Sequence, residues 1–259
     1  MKKIICIANQ KGGVAKTTTA INLAACIAVS GRKVLLIDLD PQSNASSGLG
    51  VSVGAGQKGV YELLLGEATL EEVIYPTEIE TLKVVPATVG LAGAEIELVP
   101  YPERETRLKQ AVERSDSLFD FIIIDCPPSL GLLTLNALSL AHSVLVPMQC
   151  EYYSLQGLSH LLKTLKGVKR ALNPNLKVEG ILLTMYDPRT LLTGQVKEQV
   201  TTYFGDFLLK TVIPRNVRLS EAPSHGKPIV LYAGRSKGAD AYVELAREII
   251  ARSKLSPTL

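Results

Sequence analysis

The sequence predicts an α/β fold: a mostly parallel, twisted sheet with helices on both faces. Three observations carry this. Apolar runs short enough to be strands alternate with helical patterns along most of the chain. The first two runs are continuous rather than alternating in polarity, as in parallel strands buried on both faces. They also bracket a strand–loop–helix–glycine–strand series, which is the βαβ unit.

The elements follow in order. Residues 4–8 and 34–37 are the first two strands. Between them, residues 17–30 are rich in Ala, Leu and Ile and stop at Gly31, a helix-ending residue. Further strands are expected at residues 83–86, 121–124, 143–147, 178–185 and 209–213. Helices are expected at residues 103–114, 130–141, 155–172, 192–204 and 239–253. Residues 48–59 are the most loop-like stretch. No repeat, low-complexity tract or Pro/Gly/Ser linker divides the chain, so one domain over residues 1–259 is the simplest account. A chain of 259 residues that is 46% hydrophobic and 20% charged is long enough for that core.

Several classes are disfavoured. No apolar run approaches the roughly 18 residues of a membrane span. The start, Met-Lys-Lys-Ile-Ile-Cys-Ile-Ala, has an apolar run of only about six residues, which suits a buried strand better than a signal peptide. Cys6, Cys26, Cys126 and Cys150 form no C-x-x-C pair, and the three histidines are scattered. Buried free thiols in a reducing cytoplasm are expected, without a metal site of this kind.

Three motifs bear chemistry. The first is KGGVAKTT at residues 11–18, between the first strand and the first helix. It departs from G-x-x-x-x-G-K-[ST], because Gln10 and Ala15 occupy the two glycine positions. Backbone N–H groups of Gly12, Gly13, Val14, Ala15 and Lys16 can still wrap a phosphate at the positive end of the helix. Lys16 would reach the β/γ-phosphates, and Thr17 would offer its hydroxyl to Mg²⁺. The second motif is the strand ending Asp38-Leu39-Asp40-Pro41. Alternation puts Asp38 and Asp40 on one face, and Pro41 takes the chain out of the sheet. Ligands in open α/β sheets lie beyond the carboxyl ends of the strands. This carboxylate pair can therefore hold metal-bound water or orient an attacking one. The third is the apolar strand ending at Asp125, the Walker B form, whose carboxylate reaches Mg²⁺ directly or through water. Each Asp alone would equally suit a helix cap or a turn. Together with the loop they point to a site for a nucleotide's phosphates and Mg²⁺ on a P-loop NTPase-type fold.

The sequence resembles the deviant Walker A ATPases, and within them the ParA/Soj branch that partitions chromosomes and plasmids. The resemblance rests on KGGVAKTT (11–18), DLDPQ (38–42), DCPPS (125–129) and PRNVRLSEAPSHGKP (214–228), and runs along most of the chain. It implies that the nucleotide is ATP and that Lys11 is the signature lysine, reaching across a homodimer to the partner's ATP phosphates. That would make Lys11, Lys16 and Asp40 the catalytic residues, with Asp40 orienting the attacking water. It also implies that Thr18 contacts the α-phosphate, that Pro214 and Asn216 line the adenine, and that Thr17, Asp38 and Asp125 serve the metal. Glycines at 12 and 13 explain Gln10. Ala15 stays a departure: at φ > 0 an alanine costs roughly 1 kcal/mol or more. Either φ is negative there and alanine is tolerated, or the loop is weakened. The intact remainder of the site favours tolerance.

Charge is uneven. Residues 1–150 hold 12 Lys+Arg against 16 Asp+Glu, and residues 151–259 hold 16 against 9. A basic second half suits a polyanion. Arg189, Arg215, Arg218, Lys227, Arg235 and Lys237 fall in loops or near helix ends there. The resemblance implies that such residues, in ATP-bound dimers, bind double-stranded DNA without sequence preference. Arg189 and Arg218 are the strongest candidates, with Lys227 and Arg235 beside them. It further implies a ParB-type centromere-binding protein that stimulates hydrolysis, and a cytoplasmic, nucleoid-associated location without membrane contact. The phosphate-loop strand starts at residue 2 or 3, so an N-terminal operator-reading domain is not expected. Two rivals share the catalytic motifs. A MinD-like ATPase at a membrane surface needs a basic amphipathic C-terminal helix, and Pro257 stops any such extension. A metabolic ligase of the dethiobiotin synthetase type needs a substrate pocket beside the γ-phosphate. An iron–sulfur reductase relative needs paired cysteine ligands.

Overall fold

The structure is a computed structural model describing residues 2–253 except 55, 117, 152 and 153. In chain order, β1 (Lys3–Ile7) leads to α1 (Lys16–Val29) and β2 (Val34–Asp38). Then come α2 (Asn44–Ser47), α3 (Val60–Leu65), β3 (Tyr75–Pro76), β4 (Leu82–Val85), α4 (Leu91–Glu97) and α5 (Arg107–Glu113). The middle of the chain supplies β5 (Phe121–Asp125), α6 (Leu132–Leu140), β6 (Ser143–Gln149) and α7 (Ser154–Ala171). It closes with β7 (Lys177–Tyr186), α8 (Leu191–Phe204), β8 (Leu208–Pro214), α9 (Val217–Glu221), α10 (Ile229–Tyr232) and α11 (Lys237–Ser253).

The strands form one eight-stranded sheet in the order β3-β4-β2-β5-β1-β6-β7-β8. Every pairing is parallel except β3 with β4. All seven expected strands are present. The eighth, β3, has two residues, too few for any periodicity to register. It sits at an edge, where Pro76 removes no ladder hydrogen bond from an interior strand. The expected helix at 103–114 begins only at Arg107, after turns in which Glu103 takes φ +53°. The short helices α2, α3, α4, α9 and α10 were not expected; each is too short to show a helical stripe.

Alternation along the buried strands divides the core. Ile5, Ile7, Leu36 and Ile123 face α1 and α11, with Leu245 and Ile249. Ile4, Cys6, Leu35 and Ile124 face the opposite layer, with Leu133, Leu161 and Val196. Burying each large aliphatic side chain contributes ~1.5–3 kcal/mol, so both layers are needed to hold strands that lack a polar face. Helix α1 is apolar nearly all round because it lies between the sheet and α11. At its heart Thr19 Oγ1 and the Tyr242 hydroxyl lie 3.3 Å apart.

The central position of β1, flanked by β5 and β6, places the loop after it at the middle of the sheet's carboxyl edge. Register aligns the motif ends: Ile7 lies opposite Asp125, and Asp38 lies opposite Asp125 on the other side. Asn22 ties the first helix to the distant C-terminal segment. Its Nδ2 donates to Thr18 O at 2.8 Å, and its Oδ1 accepts from Ile229 N at 2.6 Å. Asn22→Ala leaves a buried N–H without its acceptor, so stability should fall by about 1–3 kcal/mol. Urea denaturation reads this as a lower midpoint at unchanged slope; an unchanged midpoint contradicts it.

Candidate active site

The loop at residues 8–15 is held from outside by polar side chains at neighbouring strand ends. Gln149 Nε2, at the end of β6, donates to Gly13 O at 2.7 Å. Thr184 Oγ1, near the end of β7, donates to Val14 O at 3.1 Å. Asn9 donates from Nδ2 to Pro147 O at 2.7 Å, and its Oδ1 accepts from Lys11 N at 3.1 Å. The carbonyls are thus tied away from the loop's interior. The first turn of α1 leaves N–H groups without helical partners, as an anion cradle requires. A cavity of about 420 Å³ lies there, lined among others by Gly12, Gly13, Lys16, Thr17, Thr18 and Asp40.

Ala15 overturns the expectation of negative φ. It adopts φ +64° and ψ +36°, the left-handed region, immediately before α1. Gly13 is also left-handed, at φ +72°. The turn needs both to aim successive N–H groups inward, and Ala15 O then accepts from Thr19 N at 2.9 Å. The strain of about 1 kcal/mol is therefore present, carried by a site that over-determines the conformation.

Charge is concentrated behind the loop. Lys16 is 7% exposed and its Nζ donates to Lys11 O at 3.1 Å. Burial lowers its pKa, opposed by the carboxylates of Asp125 and Asp40. Asp125 is fully buried, and neither carboxylate oxygen has a hydrogen-bond partner among the described residues. Burial first, and the neighbouring Asp38 second, push its pKa well above the ordinary carboxylate range. The Thr17 hydroxyl pulls the other way, although it falls short of hydrogen-bond geometry. Asp40 lines the cavity and accepts from Gln42 N at 3.0 Å.

Asp38, opposite Asp125 at the end of β2, is engaged by donors of the chain itself. Its Oδ2 accepts from Ser46 N at 2.8 Å and Ser46 Oγ at 2.7 Å, and its Oδ1 from Asp40 N at 3.2 Å. Burial raises its pKa to about 6 despite these donors. The carboxylate faces α2 rather than the cavity, because Leu39 and Asp40 already leave the strand. Asp38 thus positions the loop that carries Asp40. Among the described residues no cluster of three or more His, Cys, Asp or Glu could hold a metal alone. The orphaned Asp125 carboxylate beside Thr17 fits a hard divalent cation that takes its remaining ligands from phosphate and water.

Lys11 is partly exposed and forms an ion pair with Glu151, just beyond β6. Behind the site the Cys6 and Cys126 thiols lie 3.2 Å apart, both buried and free, as Cys26 is. A second cavity of about 330 Å³ adjoins the first through Ala15, Thr18 and Met185, and is walled by Pro214, Arg215 and Asn216. Asn216 Oδ1 caps α9 through Arg218 N at 2.9 Å, which leaves the NH₂ end to address a ligand. Met185 borders both cavities at φ +49°. Sequence reasoning missed Asn9, Ser46, Gln149, Glu151, Thr184 and Met185. For Gln149 and Thr184 a signal existed: like Asp125, they are polar residues near the carboxyl end of an apolar strand.

The basic candidates lie on the surface, and three of the four carry a carboxylate partner. Arg189 is 86% exposed at its side chain and forms a two-pronged contact with Asp187, at 2.8 and 2.7 Å. That contact pulls the Asp187 pKa down to about 2. Arg218 pairs with Glu221 at 2.8 Å, and Lys227 with Glu78 at 3.1 Å. Such exposed pairs are worth little and exchange readily for phosphate. Arg235 is exposed in the turn before α11.

Comparison with known proteins settles the family. The family model described as an AAA domain matches residues 2–178. The sporulation initiation inhibitor protein Soj of Bacillus subtilis is 59% identical over 251 residues, 97% of this chain and 99% of that one. The chromosome partitioning protein ParA of Caulobacter vibrioides is 48% identical over 254 residues, 97% of this chain and 95% of its own. The chain belongs to the ParA/Soj family of chromosome-partitioning ATPases. Solved structures agree on the fold of this ParA/Soj-family ATPase. A Mycobacterium smegmatis protein described as cobyrinic acid a,c-diamide synthase, with bound ATP analogue and magnesium, superposes with TM-score 0.87 at 39% identity, covering 98% and 96%. The septum site-determining protein MinD of Pyrococcus horikoshii, complexed with Mg-ADP, gives TM-score 0.79 at 29% identity, covering 98% of each chain.

For this ParA/Soj-family ATPase, Ala15→Gly should relieve the left-handed strain and raise stability by about 0.5–1 kcal/mol. Its ATPase rate should change less than about tenfold, because the tied carbonyls already hold the loop. A larger gain in turnover, measured at saturating ATP, would show that the alanine weakens the phosphate cradle.

Proposed function

We propose that this partitioning ATPase binds ATP in the paired cavities, closes into a sandwich dimer across the phosphate loops, and in that state binds DNA without sequence preference. The observation that carries the nucleotide part is the Asp125 carboxylate, buried without a partner beside Thr17 and Lys16. Thr17 and Asp125 would hold Mg²⁺, with Asp38 supporting from behind through Ser46 and Asp40. A bound Mg²⁺ supplies charge neutralisation at the β/γ-phosphates. Lys16 and the N–H groups of residues 12–17 grip those phosphates, and Thr18 the α-phosphate. Pro214 and the NH₂ of Asn216 address the adenine from the second cavity. Asp40, at the rim, orients the attacking water.

Lys11 completes the site in trans. Its ion pair with Glu151 is exposed at both ends, so releasing it costs little. Once in the partner's site it neutralises charge developing on the transferred phosphoryl group. Dimerisation also doubles the basic surface formed by Arg189, Arg218, Lys227 and Arg235, which links nucleotide state to DNA affinity by avidity. A ParB-type centromere-binding protein would stimulate hydrolysis and release the dimer, giving a nucleoid-associated, cytoplasmic cycle.

A metabolic ligase is the second reading, favoured by the description of the Mycobacterium smegmatis neighbour. Identity of 48–56% to chromosome partitioning proteins over nearly the whole chain outweighs it. For the MinD-like reading, no described helix is long and apolar enough to cross a membrane. A surface helix is a separate matter, and residues 254–259, including Pro257, lie outside the described residues. Liposome sedimentation separates that reading from DNA retention. ATPase assays of protein alone, with DNA, with a ParB peptide and with both should show synergy in the last arm. DNA-independent turnover of a small metabolite overturns the partition reading.

Two variants test the residue roles. Asp40→Ala should lose at least about tenfold in ATP turnover while still binding ATP and dimerising, as expected when only the attacking water is disordered. Normal turnover removes Asp40 from the mechanism. Arg189→Glu and Arg218→Glu should each abolish retention on DNA at moderate salt and leave ATP affinity unchanged, since phosphate contacts dominate such binding. Undiminished retention by both variants places the DNA surface elsewhere.

A further inference from the structure

An apolar groove lies away from the nucleotide site, where α7, the end of α8 and the start of β7 meet. Its volume is about 600 Å³. Helix α7 forms one wall with Leu162, Leu165, Lys166 and Lys169. These positions recur at helical spacing, so they make a single stripe two turns long, ~10 Å. The opposite wall is aromatic: Tyr203 and Phe204 from the end of α8, and Phe207 just after it. Tyr203 is 73% exposed and Phe207 40% exposed, and they adjoin the leucines of α7 in one contiguous apolar patch. Lys177, at the start of β7, closes one end.

The charge of the groove is one-sided. Lys166, Lys169 and Lys177 line it, and no carboxylate does. Among the described residues none of these three ammonium groups makes an ion pair. By contrast, three of the four cations proposed for DNA are paired. Nucleic acid suits this groove poorly. Duplex phosphates are met by cations on polar surfaces, whereas the floor here is leucine and aromatic. An amphipathic helix whose apolar face carries leucine or phenylalanine anchors fills such a floor, with glutamates or aspartates along its flanks meeting the lysines.

We propose that the groove between α7 and α8 is a docking surface for an acidic amphipathic helix of a partner protein. It lies at the opposite ends of the strands from the phosphate loop, since β7 enters it at Lys177 and reaches the loop through Thr184. A partner held here leaves the nucleotide cavities and the basic residues beside them uncovered, so it can anchor the ATPase throughout its cycle. This goes beyond the partition reading and survives its failure.

The test uses the full chain and a random peptide library displayed on phage, about 16 residues long, enough for four helical turns. Selection runs against wild type, with counter-selection against Lys166→Glu/Lys169→Glu and Tyr203→Ser. All three positions are exposed, so ATP-analogue binding and thermal midpoint should match wild type in both variants. Enriched peptides should carry Asp or Glu around Leu, Ile or Phe at i, i+3/i+4, i+7 spacing. By fluorescence anisotropy they should bind wild type at least about tenfold more tightly than either variant, as for loss of a central anchor or its charge complement. Absence of enrichment, loss of that pattern, or equal binding to the variants overturns the proposal. Displacement of the peptides by duplex DNA, together with weaker DNA retention by the double-lysine variant, would make the groove a nucleic-acid surface instead. Self-association that both variants abolish would assign it to a second copy of the chain.

Discussion

The Asp125 carboxylate sits at the end of a central strand, fully buried, with no hydrogen-bond partner among the described residues. Such a group is costly, and it persists only because everything around it is fixed by other forces. Strands β1, β2 and β5 are buried on both faces and held in register by parallel ladders. They cannot rearrange to relieve one charge. The same burial brings Asp38 alongside and draws Lys16 inward against its own desolvation. A nucleotide-bound divalent cation, as proposed for this site, would resolve the cluster at once and so would couple the stability of the fold to its ligand.

The phosphate loop depends on a second constraint. Its carbonyls are tied by Gln149 and Thr184, and Asn9 ties it to β6 at Pro147. Gln149 and Thr184 belong to strands that follow the loop by well over a hundred residues in sequence. The loop can therefore afford left-handed backbone at Ala15 as well as at Gly13. Asp38 works in the same way at the other rim, gripping Ser46 and the Asp40 amide so that Asp40 is presented. Positioning residues, rather than the residues that meet the ligand, absorb most of the polar groups near the site.

At the protein's other end the α7–α8 groove follows a different logic. Among the described residues its lysines make no ion pair, and Tyr203 and Phe207 are exposed while Phe204 packs on the core beneath. The two surfaces have opposite needs. The nucleotide site stores buried charge for a small ligand, and the groove leaves apolar area open for a macromolecular one.

Sequence alone determined the layered α/β fold, because strands such as 121–124 are continuously apolar and require helices on both faces. It also located the elements of the candidate site, because loop, helix, Asp40 and Asp125 are local signals at strand ends. Where a signal needs length it failed: two-residue β3 and the short helices near the site have no periodicity. Where it needs a distant partner it failed as well. The sequence put Asp38 and Asp40 on one face, but only packing against α2 turned Asp38 to Ser46. The sign of φ at Ala15 was equally out of reach, since it is set by side chains of β6 and β7. The tertiary structure decided those matters because hydrogen bonds between distant strand ends, not local propensity, hold the conformation.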